Sequence, residues 1–321
     1  MTAIILINWN GADDTLACLN SLLKADGDFF VVVVDNASTD DSVLRLNDFA
    51  QQHSDKIRID ILALDDNYGF AVRNNKGVQY AMQFAPSSIM LLNNDTEVDP
   101  HFLQELQKFS TEHPEYRVLT PRINYFHDKN LIWECGGLIK IGKHKKYYGD
   151  KSGTLLDGID YFPITFISGC AMYFYPELLD IDNNIFTDRF FFGEEDFEFS
   201  LRMKKKGVKM ACVPTSQIYH KVGRARKKMS TNVGKYYMYY LNRLILLRIH
   251  YPKFVYVFMK FLYMINAFRY FQSVNHSLTL SIKMLKRLNR EAKTKYGVNR
   301  ADFQALMIDN KFKSILLSVQ K

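Results

Sequence analysis

The first hundred residues alternate between short apolar runs and longer segments in which apolar residues recur every three to four positions. The short runs, rich in β-branched residues, lie at 4–7, 31–34, 59–62 and 89–92. Continuous apolar runs of this length are typical of strands buried on both faces of a parallel sheet. The longer segments have the periodicity of amphipathic helices and lie at about 13–24, 40–52, 71–84 and 100–112. This alternation predicts right-handed β-α-β units and an α/β fold with a mostly parallel, doubly wound sheet.

The rest of the chain is less regular. Glycines interrupt residues 113–235, which predicts short strands and long loops, with a loop that leads into a helix over 188–206. Beyond residue 235 the pattern becomes helical and basic. We therefore expect a catalytic domain over residues 1–235 and a helical C-terminal extension over residues 236–321.

Charge divides along the chain in the same way. Residues 1–202 hold 17 Lys and Arg against 31 Asp and Glu, whereas residues 203–321 hold 25 against 3. A hydrophobic content of 47% excludes a disordered chain. The four cysteines have no paired spacing, so we expect buried free thiols in a reducing compartment. The division indicates an acidic part that carries chemistry and a basic part that meets an anionic partner.

Polar residues follow the predicted strands at the edge where α/β sheets bind ligands. Asp35 ends a run of four valines and could accept hydrogen bonds from a nucleotide base or ribose. It could instead cap the next helix, although Ser38, Thr39 and Asp40 are better placed for capping. Asp95, in Asn93-Asn94-Asp95, could hold a hard divalent cation or simply form a turn.

Two later segments also carry candidate chemistry. Glu194, Glu195 and Asp196 lie between aromatic residues, where burial and mutual repulsion suit a general base, or where acids complement a helix N-terminus. His220 could ligate a metal or be a hydrogen-bonded or exposed histidine without a ligand. The basic residues after it could meet phosphates or form a solvated loop: Lys221, Arg224, Arg226, Lys227 and Lys228.

Taken in order, these segments resemble the family 2 glycosyltransferases, and particularly the rhamnosyltransferase-like branch, over roughly residues 3–250. The matching pieces are Ile7–Gly11, Val34–Asp40, Asn67–Ala71, Asn75–Gly77, Leu91–Thr96, Ser168–Met172 and Phe192–Arg202. The resemblance implies a GT-A fold, a nucleotide-diphospho-sugar donor and a divalent cation, Mg²⁺ or Mn²⁺.

The resemblance also implies roles for individual residues. Asp35 contacts the base or ribose of the donor, and the remaining donor contacts are Ile7, Trp9, Asn67, Gly69, Asn75 and Asn94. Asp95 is similar to the last residue of the family's Asp-x-Asp metal motif, and His220 to a further metal ligand. Asn93 stands where the first acid of that motif is expected.

The acidic segment resembles the family's Glu-Asp motif. Asp196 matches the catalytic base, with Glu195 beside it, and counting back from Leu201-Arg202 favours this register over one that uses Glu194. The expected reaction is inverting transfer of a sugar to a hydroxyl of a growing surface glycan, such as capsule or O-antigen, on a glycan or lipid-linked acceptor.

The C-terminal helices are rich in aromatic and basic residues, which suits an anionic membrane surface. The alternative is a bundle that packs on the catalytic domain or forms a homodimer. A nucleic-acid partner is not supported, because no recognised binding motif accompanies the charge. We therefore expect a cytoplasmic protein, peripheral on the inner face of the cytoplasmic membrane.

Two other functions are weighed against the transferase. Asn93 leaves open a catalytically idle, membrane-associated nucleotide-sugar-binding protein with the same fold. A nucleotide-dependent oxidoreductase is disfavoured, because the glycine fingerprint is absent after the first strand.

Overall fold

The computed structural model describes residues 1–222 and 233–307. Arg224, Arg226, Lys227 and Lys228 lie outside the described residues. The described residues divide into two compact units, one of residues 1–187 and 196–222, the other of residues 188–195 and 233–307. The short segment 188–195 is thus grouped with the C-terminal helices.

The first unit begins with regularly alternating strands and helices. They are β1 (Thr2–Asn8), α1 (Ala12–Leu22), β2 (Phe29–Asp35), α2 (Ser42–Gln52), β3 (Ile59–Ala63), α3 (Gly69–Met82), β4 (Ser88–Asn93), β5 (Thr96–Val98) and α4 (Phe102–Glu112). Each of the four predicted strands and four predicted helices of this part is present, with ends that shift by a few residues.

A mixed region follows. Its elements are β6 (Tyr116–Tyr125), β7 (Ile132–Glu134), β8 (Gly137–Lys140), β9 (Lys143–Lys146), β10 (Phe162–Ile164), β11 (Ala171–Phe174), α5 (Glu195–Lys205) and β12 (Lys209–His220). The expectation of short strands here is wrong for β6 and β12, which have 10 and 12 residues.

The strands form one central sheet in the order β10-β12-β6-β11-β4-β1-β2-β3, with β5 paired to β12 and β7 to β6. Strands β4, β1, β2 and β3 are mutually parallel, as are β6 and β12, while β11 runs antiparallel between β4 and β6. The predicted α/β fold with a mostly parallel sheet is confirmed. Strand β3 lies at the sheet edge and is only partly buried, so its predicted burial on both faces is wrong.

Successive residues of the parallel strands feed two cores, one on each face of the sheet. Ile5 and Val34 pack with α3 and α5, whereas Ile4 and Val33 pack with α1, α2 and α4. Helices therefore cover both faces, as a doubly wound sheet requires. Helix α3 approaches the sheet closely at Gly77, where a Cβ would lie 2.6 Å from a methyl of Ile5 and 2.7 Å from one of Val34.

The second unit is helical. It contains α6 (Val233–His250), α7 (Lys253–Asn275), α8 (Leu278–Thr294) and α9 (Arg300–Met307). Helices α6, α7 and α8 pack pairwise, and α9 packs on α6. The segment 188–195 is held in this unit by a β-bridge between Phe190 and Val298. Over residues 1–222 and 233–307, no helix combines the length and the apolar character that a membrane span needs.

Candidate active site

Asp35 lies at the carboxyl end of β2, directly opposite Asn8 at the end of β1. Its carboxylate accepts hydrogen bonds from the Asn8 Nδ2 at 2.7 Å, from the Ser38 Oγ at 2.6 Å and from the Ser38 main-chain N at 2.8 Å. Asp35 is 1% exposed. These three donors fix the orientation of a carboxylate at the sheet edge where ligands bind.

A second group of amides lies where β2 and α3 meet. The Asn36 Nδ2 donates to the Asn67 Oδ1 at 2.8 Å, and the Gly69 N donates to the same oxygen at 3.0 Å. Gly69 has φ +75°, a left-handed conformation that a side chain disfavours. Asn67 therefore holds the first turn of α3 against the end of β2.

The other residues that are predicted to contact the sugar donor differ in exposure. Trp9 follows β1 and is 53% exposed, whereas Ile7 is buried within the sheet. Asn75 is buried on α3, and its amide bonds the main chain of residues 185 and 186. Asn75 thus connects α3 to residues 185 and 186, while Asn67 and Gly69 lie near the carboxyl end of β2.

Asp95 and His220 lie together at the same edge of the sheet. Strand β12 pairs with β5 so that His220 is opposite Thr96, the neighbour of Asp95. The His220 Nε2 lies 3.1 Å from the Asp95 Oδ1. The two residues that the sequence predicts as metal ligands are therefore in direct contact, 125 positions apart in the chain.

A row of hydrogen bonds connects Asp35 with the Asp95 turn. The Asn94 Nδ2 donates to the Thr15 Oγ1 at 2.8 Å, and the Thr15 Oγ1 donates to the Asn8 Oδ1 at 2.8 Å. Asn8 in turn donates to Asp35. We call the row Asn94, Thr15, Asn8 and Asp35 the strand-end row. Thr15 was not predicted, because it lies in the first turn of α1 and not at a strand end.

His220 is buried between apolar and charged neighbours. It is 8% exposed, and the Trp133 ring meets its ring edge-on at 4.5 Å between centroids. Burial opposes the charged imidazole, but Cys170 and Asp95 favour it, so that the pKa of His220 is raised to about 10. Its Nδ1 has no hydrogen-bond partner within the described structure.

Glu134 is a second buried ionisable side chain in this region. It ends β7, is 1% exposed and contacts the Lys146 Nζ through its Oε2 at 2.6 Å. Burial raises the pKa of Glu134, and Lys146 lowers it, with a net rise. Its Oε1 has no hydrogen-bond partner in the described part of the chain. The sequence signal for Glu134, an acid that follows three apolar residues, is too weak to single it out.

The residues at the Asp95 turn fit a divalent cation in their chemistry. Asp95 offers a carboxylate that is 36% exposed, and His220 offers an imidazole nitrogen that already faces it. Oxygen ligands suit Mg²⁺, and Mn²⁺ also accepts imidazole. Within residues 1–222 and 233–307 no cluster of three or more His, Cys, Asp or Glu could hold a metal. A cation at Asp95 would therefore need further ligands from a substrate or water.

The acidic segment before α5 is fixed by α6. Arg243 donates from its Nε to the Glu194 Oε2 at 2.7 Å and from its Nη2 to the Glu194 Oε1 at 2.9 Å. Both side chains are buried. Glu194 also has φ +73°, and Asn242 donates to the carbonyl of Phe192 at 3.1 Å. Both carboxylate oxygens of Glu194 are thus engaged by Arg243.

Helix α5 is anchored within the first unit. The Ser200 Oγ accepts a hydrogen bond from the Ile167 N at 3.0 Å. Three residues after Ile167, the carbonyl of Cys170 accepts a hydrogen bond from the Asn93 N at 2.8 Å. Arg202 bonds Glu198 and the carbonyl of Ile185. The part of α5 from half-buried Asp196 onward is therefore connected to the end of β4 within the first unit.

Comparison with known proteins identifies the family. The sequence model described as glycosyl transferase family 2 matches residues 3–180, more than half of the chain. The chain belongs to this family. No curated protein matches the sequence significantly. The family match covers β1 to β11 and so includes the strand-end row and Asp95, whereas His220 and the acidic segment lie beyond it.

Solved structures resemble this family 2 chain in fold. S. aureus TarS 1–349 shares 15% identity with a TM-score of 0.52, over 97% of this chain and 76% of that one. The mannosyltransferase PcManGT from Pyrobaculum calidifontis, in complex with GDP-Man and Mn²⁺, shares 13% over 99% and 78%, with a TM-score of 0.51. GalNAc-T7 with UDP, GalNAc and Mn²⁺ shares 14% over 98% of this chain and 57% of that one, with a TM-score of 0.60. The GT-A-like fold that the sequence predicts is confirmed.

Proposed function

We propose that this family 2 chain is an inverting glycosyltransferase that moves a sugar from a nucleotide-diphospho-sugar to a hydroxyl of a growing surface glycan. The observation that carries the proposal is the strand-end row. It begins at a buried carboxylate, Asp35, and ends at Asn94, next to the Asp95–His220 pair. A nucleotide-diphospho-sugar, in which the diphosphate follows the nucleoside and precedes the sugar, matches this order. Similar folds bind UDP or GDP-Man together with Mn²⁺.

The donor site can be assigned residue by residue. Asp35 accepts hydrogen bonds from the base or ribose, with Ile7 and the exposed Trp9 beside it. Asn67, Gly69 and Asn75 shape the first turns of α3. Asn94 lies near the diphosphate. This assignment makes Asp35 a binding residue and not a helix cap, consistent with its bonds to Ser38 instead of to the start of α2.

Asp95 and His220 would hold a Mg²⁺ or Mn²⁺ ion. A bound cation supplies positive charge where negative charge develops on the departing diphosphate. His220 would have to lose a proton to bind it, because the buried imidazole has a raised pKa. Asn93 replaces one acid of the metal motif, which lowers the number of charged ligands in the site.

Asp196 removes the proton from the acceptor hydroxyl. That oxygen then attacks the anomeric carbon from the face opposite the diphosphate, which inverts the anomeric configuration. Proton transfer of this kind contributes about 10²–10⁴-fold to the rate. Glu195 precedes the base in the chain and is itself buried.

The finer substrate assignment follows the resemblance to the rhamnosyltransferase-like branch. We propose a hexosyl or deoxyhexosyl donor and a lipid-linked glycan acceptor of a cell-envelope polysaccharide such as capsule or O-antigen. The enzyme would then act from the cytoplasm, at the inner face of the cytoplasmic membrane. The basic C-terminal helices are the candidate contact with that membrane, and a homodimer through these helices is the alternative.

A panel of dTDP-, UDP- and GDP-sugars tests the proposal. Thermal unfolding with Mn²⁺ should identify the donor, because a ligand that binds the folded state raises its stability with the logarithm of ligand concentration. Release of nucleoside diphosphate should follow on addition of an acceptor and stop with a chelator. Stabilisation without release under any acceptor would instead favour the idle binding protein that Asn93 leaves open.

A further inference from the structure

Helix α7 presents a row of large apolar side chains to solvent. Its members are Phe254, Val257, Phe258, Phe261 and Leu262, exposed by 77%, 57%, 62%, 62% and 39%. Their spacing of three and four residues places them on one face of the helix. We call this row the α7 apolar face. A contiguous exposed patch of this kind marks an interaction site, unlike single exposed apolar residues.

The α7 apolar face is not needed to close the helical unit. The opposite side of α7 packs on α6 and α8, where Ala267 and Phe271 are completely buried. The rings of Tyr236 and Tyr270 meet at 4.0 Å between centroids, and Tyr240 meets Phe271 edge-on. The exposed row is therefore extra apolar surface on a helix that is already packed.

Basic residues border this face. A groove beside it, with a volume of about 710 Å³, is lined by Arg248, Lys253, Lys260 and Lys293, together with Tyr251, Tyr256, Val257, Phe261 and Met264. The lining includes four cations and no acid. Burial and the charge of Lys293 lower the pKa of Lys260. Like charges have thus been brought together without a carboxylate between them.

The surrounding sequence offers little to neutralise these cations. Residues 233–307 contain 13 Lys and Arg and two acids, Glu291 and Asp302. Glu291 pairs with Arg287, and Asp302 pairs with Lys295. Within the described residues, Lys253, Lys260 and Lys293 therefore lack an acidic partner.

We propose that the α7 apolar face and its bordering lysines bind an anionic lipid surface. The aromatic side chains would enter the boundary between headgroups and acyl chains, and Lys253, Lys260 and Lys293 would meet lipid phosphates. Aromatic residues on one face with lysines at its border are the composition of helices that lie in the membrane interface. A phosphate-bearing surface supplies the anions that the groove lacks.

A second copy of the chain fits this face less well. A two-fold dimer brings the same patch of both subunits together, so the same residues meet across the axis. Here that would place the lysine-bordered faces of two subunits against each other, with repulsion that no acid in the groove offsets. The inference deepens the proposed membrane-side location of the enzyme, and it is tested without any sugar donor, so its failure leaves the transfer reaction unaffected.

The test is co-sedimentation of the full chain with vesicles of phosphatidylcholine alone or mixed with phosphatidylglycerol, at about 0.1 M salt and at high salt. One triple variant carries Phe254→Ser, Phe258→Ser and Phe261→Ser, and a second carries Lys253→Gln, Lys260→Gln and Lys293→Gln. Control variants change the same number of exposed residues of the first unit. They are Leu44→Ser with Leu155→Ser and Ile181→Ser, and Lys56→Gln with Lys108→Gln and Lys206→Gln.

We expect wild type and both controls to bind phosphatidylglycerol vesicles and to dissociate partly at high salt. The phenylalanine variant should partition at least about tenfold less into these vesicles. The lysine variant should lose about ten- to a hundredfold in affinity for them. Far-UV circular dichroism and thermal unfolding check that both variants stay folded.

Three results would overturn the proposal. The first is equal vesicle binding by wild type and the phenylalanine variant. The second is a wild-type dimer in light scattering that the phenylalanine variant converts to a monomer while vesicle binding is absent, which would assign the face to a second copy. The third is binding to single-stranded oligonucleotides but to no vesicle.

Discussion

Arg243 and Glu194 form a bidentate ion pair between α6 and the acidic segment, with nitrogen–oxygen distances of 2.7 and 2.9 Å. Both side chains are less than 10% exposed. Removing one partner of such a pair leaves an uncompensated buried charge, which costs more than the pair contributes to stability. The pair therefore stabilises a conformation in which Glu194 has a positive φ.

Arg243→Met should destabilise the protein by about 3–5 kcal/mol, because Glu194 then stays buried without a cation. Adding Glu194→Gln should recover part of this loss. The free energy of unfolding in urea measures both effects. Arg45→Met, which breaks exposed pairs with Asp13 and Asp41, is the matched control and should shift the free energy much less. If the loss of unfolding free energy in the double variant equals the sum of the losses in the two single variants, Arg243 and Glu194 are not coupled.

Asp196→Asn should lower turnover by at least about 10²-fold and leave donor binding intact. An amide cannot accept the proton of the acceptor hydroxyl, yet it has nearly the same size as the carboxylate. Turnover is followed by release of nucleoside diphosphate, and donor binding by thermal shift. Asp157→Asn, an exposed aspartate, is the control. Near-normal turnover of Asp196→Asn would remove Asp196 from the role of base.

Asp95→Asn should raise the Mn²⁺ concentration for half-maximal turnover by at least about tenfold, and His220→Ala should do so to a similar or smaller extent. The reason is that these are the two side chains in contact at the proposed cation site. The exposed histidine His101, changed to Ala, should behave as wild type. Wild-type turnover that is unaffected by a chelator would contradict the cation site as a whole.

Glu134 should make stability depend on pH in a defined direction. Its pKa is raised in the folded state, chiefly by burial, so its stabilising contribution is complete below the ordinary pKa of about 4.5 and is lost as pH rises through the raised value. The free energy of unfolding of wild type minus that of Glu134→Gln should therefore fall from acidic to neutral pH.

Urea unfolding at several pH values measures that difference. Lys146→Met should make the decline steeper, because Lys146 lowers the pKa of Glu134 and stabilises its charged form. The exposed Glu112, changed to Gln, supplies the background pH dependence. A difference that stays flat or grows as pH rises would show that burial does not dominate at Glu134.

The regular first part of the fold could be predicted from the sequence because β1, β2 and β4 are uninterrupted apolar runs buried on both faces. Strands β6 and β12 could not, because polar residues such as Arg122 and Gln217 interrupt their apolar pattern. Their pairing also shifts register between Val213 and Gln217. Alternation of apolar and polar residues does not identify a strand where its pairing shifts register.

Some residues of the site could likewise be predicted from the sequence and others could not. Asp35 and Asp95 could be singled out because they follow buried strands, and the sheet rule then places them at one edge. Thr15 and Glu134 lie in a helix and in a three-residue strand, where position alone says nothing about chemistry. The ion pair of Glu194 could not be predicted, because its partner Arg243 lies 49 residues away in the chain.

The close approach of α3 to the sheet at Gly77 has a consequence for genetics. Any side chain there would push the helix away from Ile5 and Val34, and with it the turn at Gly69 that Asn67 holds against Asn36. A survey of all single substitutions scored by growth or activity would therefore mark Gly77 as strictly as Asp35 or Asp95. Substitutions at Gly77 would fail because of the short distance between α3 and the sheet. Their failure would say nothing about which sugar the enzyme transfers.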